Sequence, residues 1–186
     1  MLNPISYDFT LFETAWGPMA FACRGELIIE LILPRLDEES IRGELHDKLA
    51  PATINFQKNL LPQLQQELKN YFAGRQTTFT GKLDFSSTGA FALRALQACA
   101  KIPAGATITY GALAARAGNP RAARAAGGVM ARNRVPLLVP CHRVIAADGA
   151  LRGFSANGGL ALKKRMLDHE KRMIQPAKNF SLSIPA

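Results

Sequence analysis

The sequence predicts an α+β fold in two parts. A small α/β domain occupies residues 1–85, a mostly helical domain occupies 86–175, and a short tail covers 176–186. Three observations predict it. Strand-like runs cluster near the N-terminus, within 7–33. Helical periodicity dominates after residue 90. The charge also reverses at the boundary: residues 1–85 hold 8 Lys/Arg and 11 Asp/Glu, net −3, whereas residues 86–186 hold 15 and 3, net +12.

Phe9, Leu11 and Phe12 open the first strand, and Ala15-Trp16-Gly17-Pro18 turns the chain. Met19 to Cys23, Gly25 and Leu27 to Leu33 complete a meander of strands. Residues 38–50 and 61–72 read as helices. The second carries Leu61, Leu64, Leu68 and Phe72 at helical spacing, Pro62 in its first turn and Gly74 as its stop. Thr77 to Phe85 reads as a last strand, and Ser86-Ser87-Thr88-Gly89 as a boundary. In the second part, helices are expected over Phe91–Ala100, Tyr110–Ala117 with Thr109 as cap, and Arg121–Arg132 with Pro120 in its first turn. Arg134 to Val144 reads as extended and apolar, Asp148-Gly149 as a turn, and Leu160 to Met173 as the final helix.

Composition excludes several classes. Hydrophobic residues make up 48% of 186, enough for a well-buried core. Three scattered cysteines form neither a disulfide framework nor a zinc-ligand pattern, so no metal and no cofactor is expected. No signal peptide and no membrane-length apolar run is seen, so the expected location is the cytoplasm, with no membrane partner. The basic second half suggests a polyanion partner, against the plainer reading of a solvated basic surface.

Pro140-Cys141-His142-Arg143-Val144 is the densest chemistry in the chain. A thiol is a weak nucleophile until it loses its proton, and an adjacent base eases that loss. Neighbours on an extended strand point to opposite faces, so cooperation between Cys141 and His142 needs a turn or an intervening water. Cys23 and Cys99 sit in apolar surroundings and read as core residues. Glu170 is the candidate to orient the imidazole. Its helical neighbours Met166, Leu167, Met173 and Ile174 are all apolar, and a carboxylate on such a stripe is costly unless paired. Asp168, His169 and His46 read as solvated.

Two short helices joined by Gly118-Asn119-Pro120 have helix-turn-helix shape. On the second, Arg121 and Arg124 share a face, and Ala123, Gly127 and their small neighbours allow close approach to DNA or to another helix. Both readings stand on this pattern alone.

Together these residues resemble the O6-alkylguanine-DNA alkyltransferase family, also called methylated-DNA–protein-cysteine methyltransferases. Pro140 to Val144 matches the family's hallmark string. Ile102 to Gly105, Thr109 to Gly111, Gly118 to Pro120, Ala123 to Ala125, Asn133, Val135-Pro136, Gly153-Phe154, Gly158-Gly159 and Leu167 to Glu170 extend the match. It is strong over about residues 86–173 and continuous but weaker before them.

The resemblance implies a ribonuclease H-like first domain and a winged helix-turn-helix-like second one. It implies irreversible, single-turnover transfer of an alkyl group from O6-alkylguanine, with O4-alkylthymine as a further substrate. Cys141 would accept the group, with His142 as base through a water and Glu170 polarising His142. Tyr110 would protonate the departing guanine, and Asn133 would tie the recognition helix to the active-site turn. Arg124 would fill the gap left by the extruded base, with Arg121, Ala123 and Gly127 on the DNA side. Met130, Pro136, Val144, Phe154 and Ser155 would line the base pocket. The partner would be double-stranded DNA approached through its minor groove, and the protein a monomer.

The chain departs from the family pattern in places. Phe91-Ala92 and Ala95-Leu96 replace bulkier pairs, Arg134 stands where proline is common, and Leu151 to Asn157 is long with Phe154 as its aromatic. The multi-cysteine zinc domain of the adaptive-response regulator is absent. Two other functions fit parts of the sequence. A Cys–His thiol hydrolase would leave the arginine helix unused, and a non-repairing alkyltransferase-like lesion binder would not need Cys141.

Overall fold

The first sheet grows from strands whose apolar side chains point both ways. In a computed structural model describing residues 5–174, β1 (Ser6–Thr14), β2 (Gly17–Arg24) and β3 (Leu27–Ile32) form the expected antiparallel meander, with Phe9 opposite Ala22 and Phe12 opposite Met19. The tail expected over 176–186 lies outside the described residues. The β1–β2 turn requires glycine. Gly17 has φ +112°, and a Cβ there would stand 2.3 Å from the Arg35 carbonyl oxygen.

Two strands were not foreseen as they stand. β4 (Thr53–Phe56) pairs parallel to β1; Thr53, Ile54 and Phe56 are strand formers, but the run is only four residues long. The strand expected over Thr77–Phe85 shrinks to β5 (Lys82–Leu83), parallel to β3. Gly81, at φ +142°, breaks the extended run before it. The sheet order is β4-β1-β2-β3-β5.

Each face of the sheet has its own cover. Phe9, Ala20, Ala22, Ile29 and Ile32 pack against Ile41, Leu45 and Leu49 of α1 (Glu38–Leu49). Asp37 caps that helix, its carboxylate accepting from the Ser40 N–H at 2.7 Å. The other face carries Phe12, Met19, Phe21, Cys23, Ile28 and Leu31, and meets α2 (Pro62–Phe72). The same core continues into the second half through Cys99, Leu113, Val139 and Met166.

The second half holds α3 (Ala90–Ala100), β6 (Ile108–Thr109), α4 (Tyr110–Arg116), α5 (Ala123–Ala131), a 3-10 turn (Cys141–Arg143), β7 (Val144–Ile145) and α6 (Gly159–Ile174). β6 and β7 pair in parallel. Thr109 caps α4 as expected, its hydroxyl accepting from the Ala112 N–H. The next helix begins later than expected. Asn119 accepts the Arg121 N–H on its side chain and the Ala122 N–H on its carbonyl, so residues 119–122 form a turn. Pro120 and Arg121 therefore precede the helix, and Arg121 does not share a helical face with Arg124.

Arg134 to Val144 is not extended. Val135 N–H donates to the Asn133 side chain, Val139 N–H donates to the Val135 carbonyl, and Leu137 adopts φ 74°. The segment is a run of turns ending at Cys141. No helix among the described residues is long and apolar enough to cross a membrane.

Candidate active site

The turns after Asn133 deliver Cys141 to the interior. Asn133 Nδ2 donates to the Val139 carbonyl at 2.7 Å, clamping the segment from within. Cys141 and His142 then lie in a 3-10 turn, which supplies the departure from strand geometry that adjacent residues need in order to cooperate. The Cys141 thiol is 7% exposed and His142 is fully buried.

Glu170 is the centre of the polar network. It is fully buried on α6, as its apolar stripe predicted, and five donors converge on its two oxygens. His142 Nε2 lies 2.7 Å from Oε1, and Tyr71 Oη donates to the same oxygen at 3.0 Å. Gly105 N–H donates to Oε2 at 3.1 Å. Arg143 spans both oxygens, with Nε 3.0 Å from Oε2 and Nη2 2.7 Å from Oε1. Its Nη1 donates to the Ile102 carbonyl. Burial pushes the Glu170 carboxyl up, but the hydrogen bonds and charges of His142 and Arg143 outweigh it and hold it well below the usual carboxylate range.

An ionised carboxylate only accepts, so the proton between His142 and Glu170 resides on Nε2. That leaves Nδ1 as the basic nitrogen. Nδ1 is buried and has no partner among the described residues. Burial lowers the His142 pKa more than Glu170 restores it. Burial also raises the Cys141 pKa, against a hydrogen bond from Asn133, the charge of Lys163 and the local backbone N–H groups. Both shifts favour the neutral form, thiol for Cys141 and imidazole for His142.

Some of the expected pocket residues border this turn. A cleft of about 40 Å³ borders Cys141 and is walled by Asn133, Pro136, Phe154 and Ser155. Leu31, Leu33 and Glu30 of the first half close its far side. Met130 and Val144 are buried and do not line this cleft. Tyr110 Oη donates to the Arg152 carbonyl at 3.0 Å. A Cβ on Gly127 would sit 3.8 Å from the Tyr110 ring, so the small residues of α5 serve helix packing there. Arg121 and Arg124 are exposed, and Ala123 is half-buried at the start of α5.

Three residues were missed. Arg143 and Tyr71 complete the Glu170 network, and Lys163 is fully buried. Arg143 was legible only as part of the hallmark string. Tyr71 reaches the site from a distant segment, in the weaker part of the family match, whereas Lys163 lies two turns before Glu170 on α6 among Leu160, Met166 and Leu167, so the same apolar stripe marks it. His169, expected to be solvated, is also buried. Its Nε2 bonds the Tyr71 carbonyl at 2.7 Å, and its ring stacks edge-on against Trp16. The first half covers the helix face that carries it. Asp168 is partly exposed and His46 is exposed, as expected. Cys23 and Cys99 are buried, and burial pushes each thiol up to about 12.

The chain is similar to known proteins in sequence and in fold. The sequence profile described as 6-O-methylguanine DNA methyltransferase, DNA binding domain, matches residues 90–172. A methylated-DNA–protein-cysteine methyltransferase of Mycobacterium leprae is 44% identical over 159 residues, covering 85% of this chain and 88% of that protein. A constitutive one from Bacillus subtilis is 34% identical over 153 residues, covering 80% and 87%. The crystal structure of Mycobacterium tuberculosis OGT in complex with DNA superposes with TM-score 0.74 at 30% identity, covering 91% of this chain and 96% of that one. The α+β fold, the Cys141 turn and the extent of these matches lead to one conclusion: the chain belongs to the O6-alkylguanine-DNA alkyltransferase family, the methylated-DNA–protein-cysteine methyltransferases.

Proposed function

We propose that this protein repairs DNA by direct reversal, moving a methyl or larger alkyl group from O6-alkylguanine, and from O4-alkylthymine, onto Cys141. The observation that carries the reading is the hydrogen bond from His142, in the turn that holds Cys141, to Glu170 on α6, with His142 Nδ1 unpartnered among the described residues and able to accept a proton. His142 Nδ1 takes the thiol proton through one water. The thiolate attacks the alkyl carbon, an S–C bond forms, the C–O6 bond breaks and its electron pair stays on the base. Tyr110 gives the departing guanine a proton and regains one from solvent. Glu170 stabilises the imidazolium, as the third member of such relays does. The product is a thioether that no side chain here can reverse, so each molecule acts once.

The target atom lies inside the duplex, so the nucleotide must be swung out at a cost of a few kcal/mol. Arg124, exposed on α5, fills the vacated position. Arg121, Ala123 and Gly127 accompany it on the DNA side, and α5 enters the minor groove. Asn133 ties α5 to the active-site turn, and Pro136, Phe154 and Ser155, backed by Met130 and Val144, receive the base. We divide the chain into a supporting domain over 1–85 and an alkyl-acceptor domain over 86–175, acting as a cytoplasmic monomer. The β1–β3 meander with β4 parallel to β1 supports a ribonuclease H-like first domain. The β6–β7 pair beside α4, which packs on α5, supports a winged second one.

The test is direct. Incubation with a duplex carrying labelled O6-methylguanine should place one methyl on the peptide containing Cys141, with turnover stopping at one equivalent. A Cys141→Ser variant that still cleared the lesion would sink the reading, and repeated turnover on an ester or amide would favour a thiol hydrolase.

A further inference from the structure

Between Asp84 and Asp148 the chain carries eight lysines and arginines and no acidic side chain. Arg134 and Arg143 find Glu30 and Glu170 on other elements. Arg94, Lys101, Arg116, Arg121, Arg124 and Arg132 are all exposed and form no salt bridge among the described residues. The last three lie on α5 or beside its ends. The first three lie elsewhere, and the chemistry above makes no use of them. Arg94 and Lys101 stand two turns apart on one face of α3, Lys101 closing the helix. With Gln97 of the same face and Arg116 at the end of α4, they border one open groove of about 430 Å³. A helix C-terminus favours a nearby cation, which accounts for Lys101 and Arg116 singly. It does not account for three cations around one groove with no acid to relieve their repulsion. That arrangement favours an anion supplied from outside.

We propose that the α3–α4 groove is a second contact surface for the duplex, in which Lys101 and Arg116 neutralise backbone phosphates that flank the lesion. The proposal rests on the reading in which α5 enters the minor groove. The two surfaces are continuous. Arg94 Nε donates to the carbonyl of Ala117, the residue that ends α4, at 2.7 Å. A Cβ on Gly118 would sit 3.6 Å from the same Nε. Gly118 opens the turn that leads through Arg121 into α5, so the groove abuts the link between the two helices. Arg94 thereby ties α3 to α4, and its terminal nitrogens have no partner among the described residues. α4 packs against both α3 and α5. Packed helices lie about 8–10 Å apart, which sets the groove about 10–20 Å from α5, the span of roughly three to six phosphates along one strand. A single duplex seated on α5 can therefore reach the groove with its flank. Contacts of this kind carry no sequence information, and they add affinity and fix orientation.

The experiment uses the full chain with Lys101→Gln and Arg116→Gln combined, both at exposed positions. Arg94 stays in place because its bond to Ala117 joins two helices. The control combines Lys171→Gln and Arg172→Gln, which removes the same charge from exposed positions on α6. Binding to a fluorescent duplex is measured across a salt series. Each lost phosphate contact reduces the steepness of log K against log salt by about 0.9, so the groove pair should reduce it by about 1.8 and each single variant by half of that. The control should keep the parent's slope. A scan of methylphosphonates along both strands should find a flank, roughly three to six phosphates from the lesion, where neutralisation weakens the parent and not the groove pair. Methyl transfer at saturating duplex should keep the parent's rate. A groove pair with the parent's slope overturns the proposal. So does an equal fall in the groove pair and the control, which would show a general effect of net charge. A groove pair that lowers the slope in a protein that transfers no methyl supports the groove and sinks the repair reading instead.

Discussion

Glu30 on β3 accepts from Arg134 Nε at 2.7 Å, joining the first half of the chain to the segment that delivers Cys141. The Glu30 side chain is 2% exposed, and Lys48 of α1 approaches its other oxygen at 3.2 Å. Beside this pair, Leu31 N–H donates to the Arg134 carbonyl at 2.8 Å. Arg134 directly follows Asn133, so the sheet braces the turn that Asn133 clamps.

Arg134→Ala should therefore do more than remove a surface charge. It leaves Glu30 buried with Lys48 as its remaining cation. A hydrogen bond to a charged group contributes about 1.5–3 kcal/mol, and the half-exposed arginine places the expected loss near the lower end, about 1–2 kcal/mol. Urea unfolding measures it. Methyl transfer should slow as well, and a rate equal to the parent's would show that the brace does not reach Cys141.

Glu170→Gln should be far more damaging. The five donors aimed at the carboxylate need two acceptor oxygens, and an amide replaces one of them with a donor. Arg143 is left buried with no counter-charge, the kind of loss that costs about 3–5 kcal/mol. Alkyl transfer should fall because His142 loses its orienting acceptor, while duplex affinity stays near the parent's. Denaturation and single-turnover kinetics together check both halves of this.

Arg124→Ala should separate base extrusion from chemistry. Repair of duplex DNA should drop strongly, whereas reaction with free O6-methylguanine should hold, since the arginine is exposed on α5 and bonds nothing in the site. Equal losses in the two assays would remove Arg124 from the gap-filling role.

Stability should decline on acidification from the near-neutral range. The folded-state pKa of His142 lies below its ordinary 6.5, so between those two values the unfolded chain binds the extra proton and the folded one does not. The contribution is complete above pH 6.5 and is lost as pH falls through the folded-state value. Glu170, also depressed, adds a second loss at lower pH, below the ordinary carboxylate range. Thermal unfolding of the parent and of His142→Gln across this window should show the first limb in the parent and not in the variant.

The two core thiols should stay silent to alkylating reagents in the native state, because burial holds Cys23 and Cys99 at about 12. Brief native labelling followed by peptide mass should find Cys141 modified and the others intact until denaturant is added.

Local chemistry made much of this legible. Near-continuous apolar runs and glycine turns define the β1–β3 meander, Thr109 caps α4, and the apolar neighbours of Glu170 mark it as a buried acid in need of a partner. Two of the misreadings, the start of α5 and the segment from Arg134 to Val144, share one cause. Asn119 and Asn133 bond their own neighbouring backbone, and such side-chain turns override the helical and extended patterns around them. The strand expected over Thr77–Phe85 lost to Gly81 and to its place at the sheet edge, where only two residues pair.

The sequence by itself singled out Cys141, His142 and Glu170 as candidates, because these follow from residue type, adjacency and helical period. Tertiary structure alone decided that Tyr71, Arg143 and Gly105 share that acid and that Glu30 braces the turn. Those contacts join residues far apart in the chain, and only the packing of the two halves on one continuous core brings them within hydrogen-bonding distance.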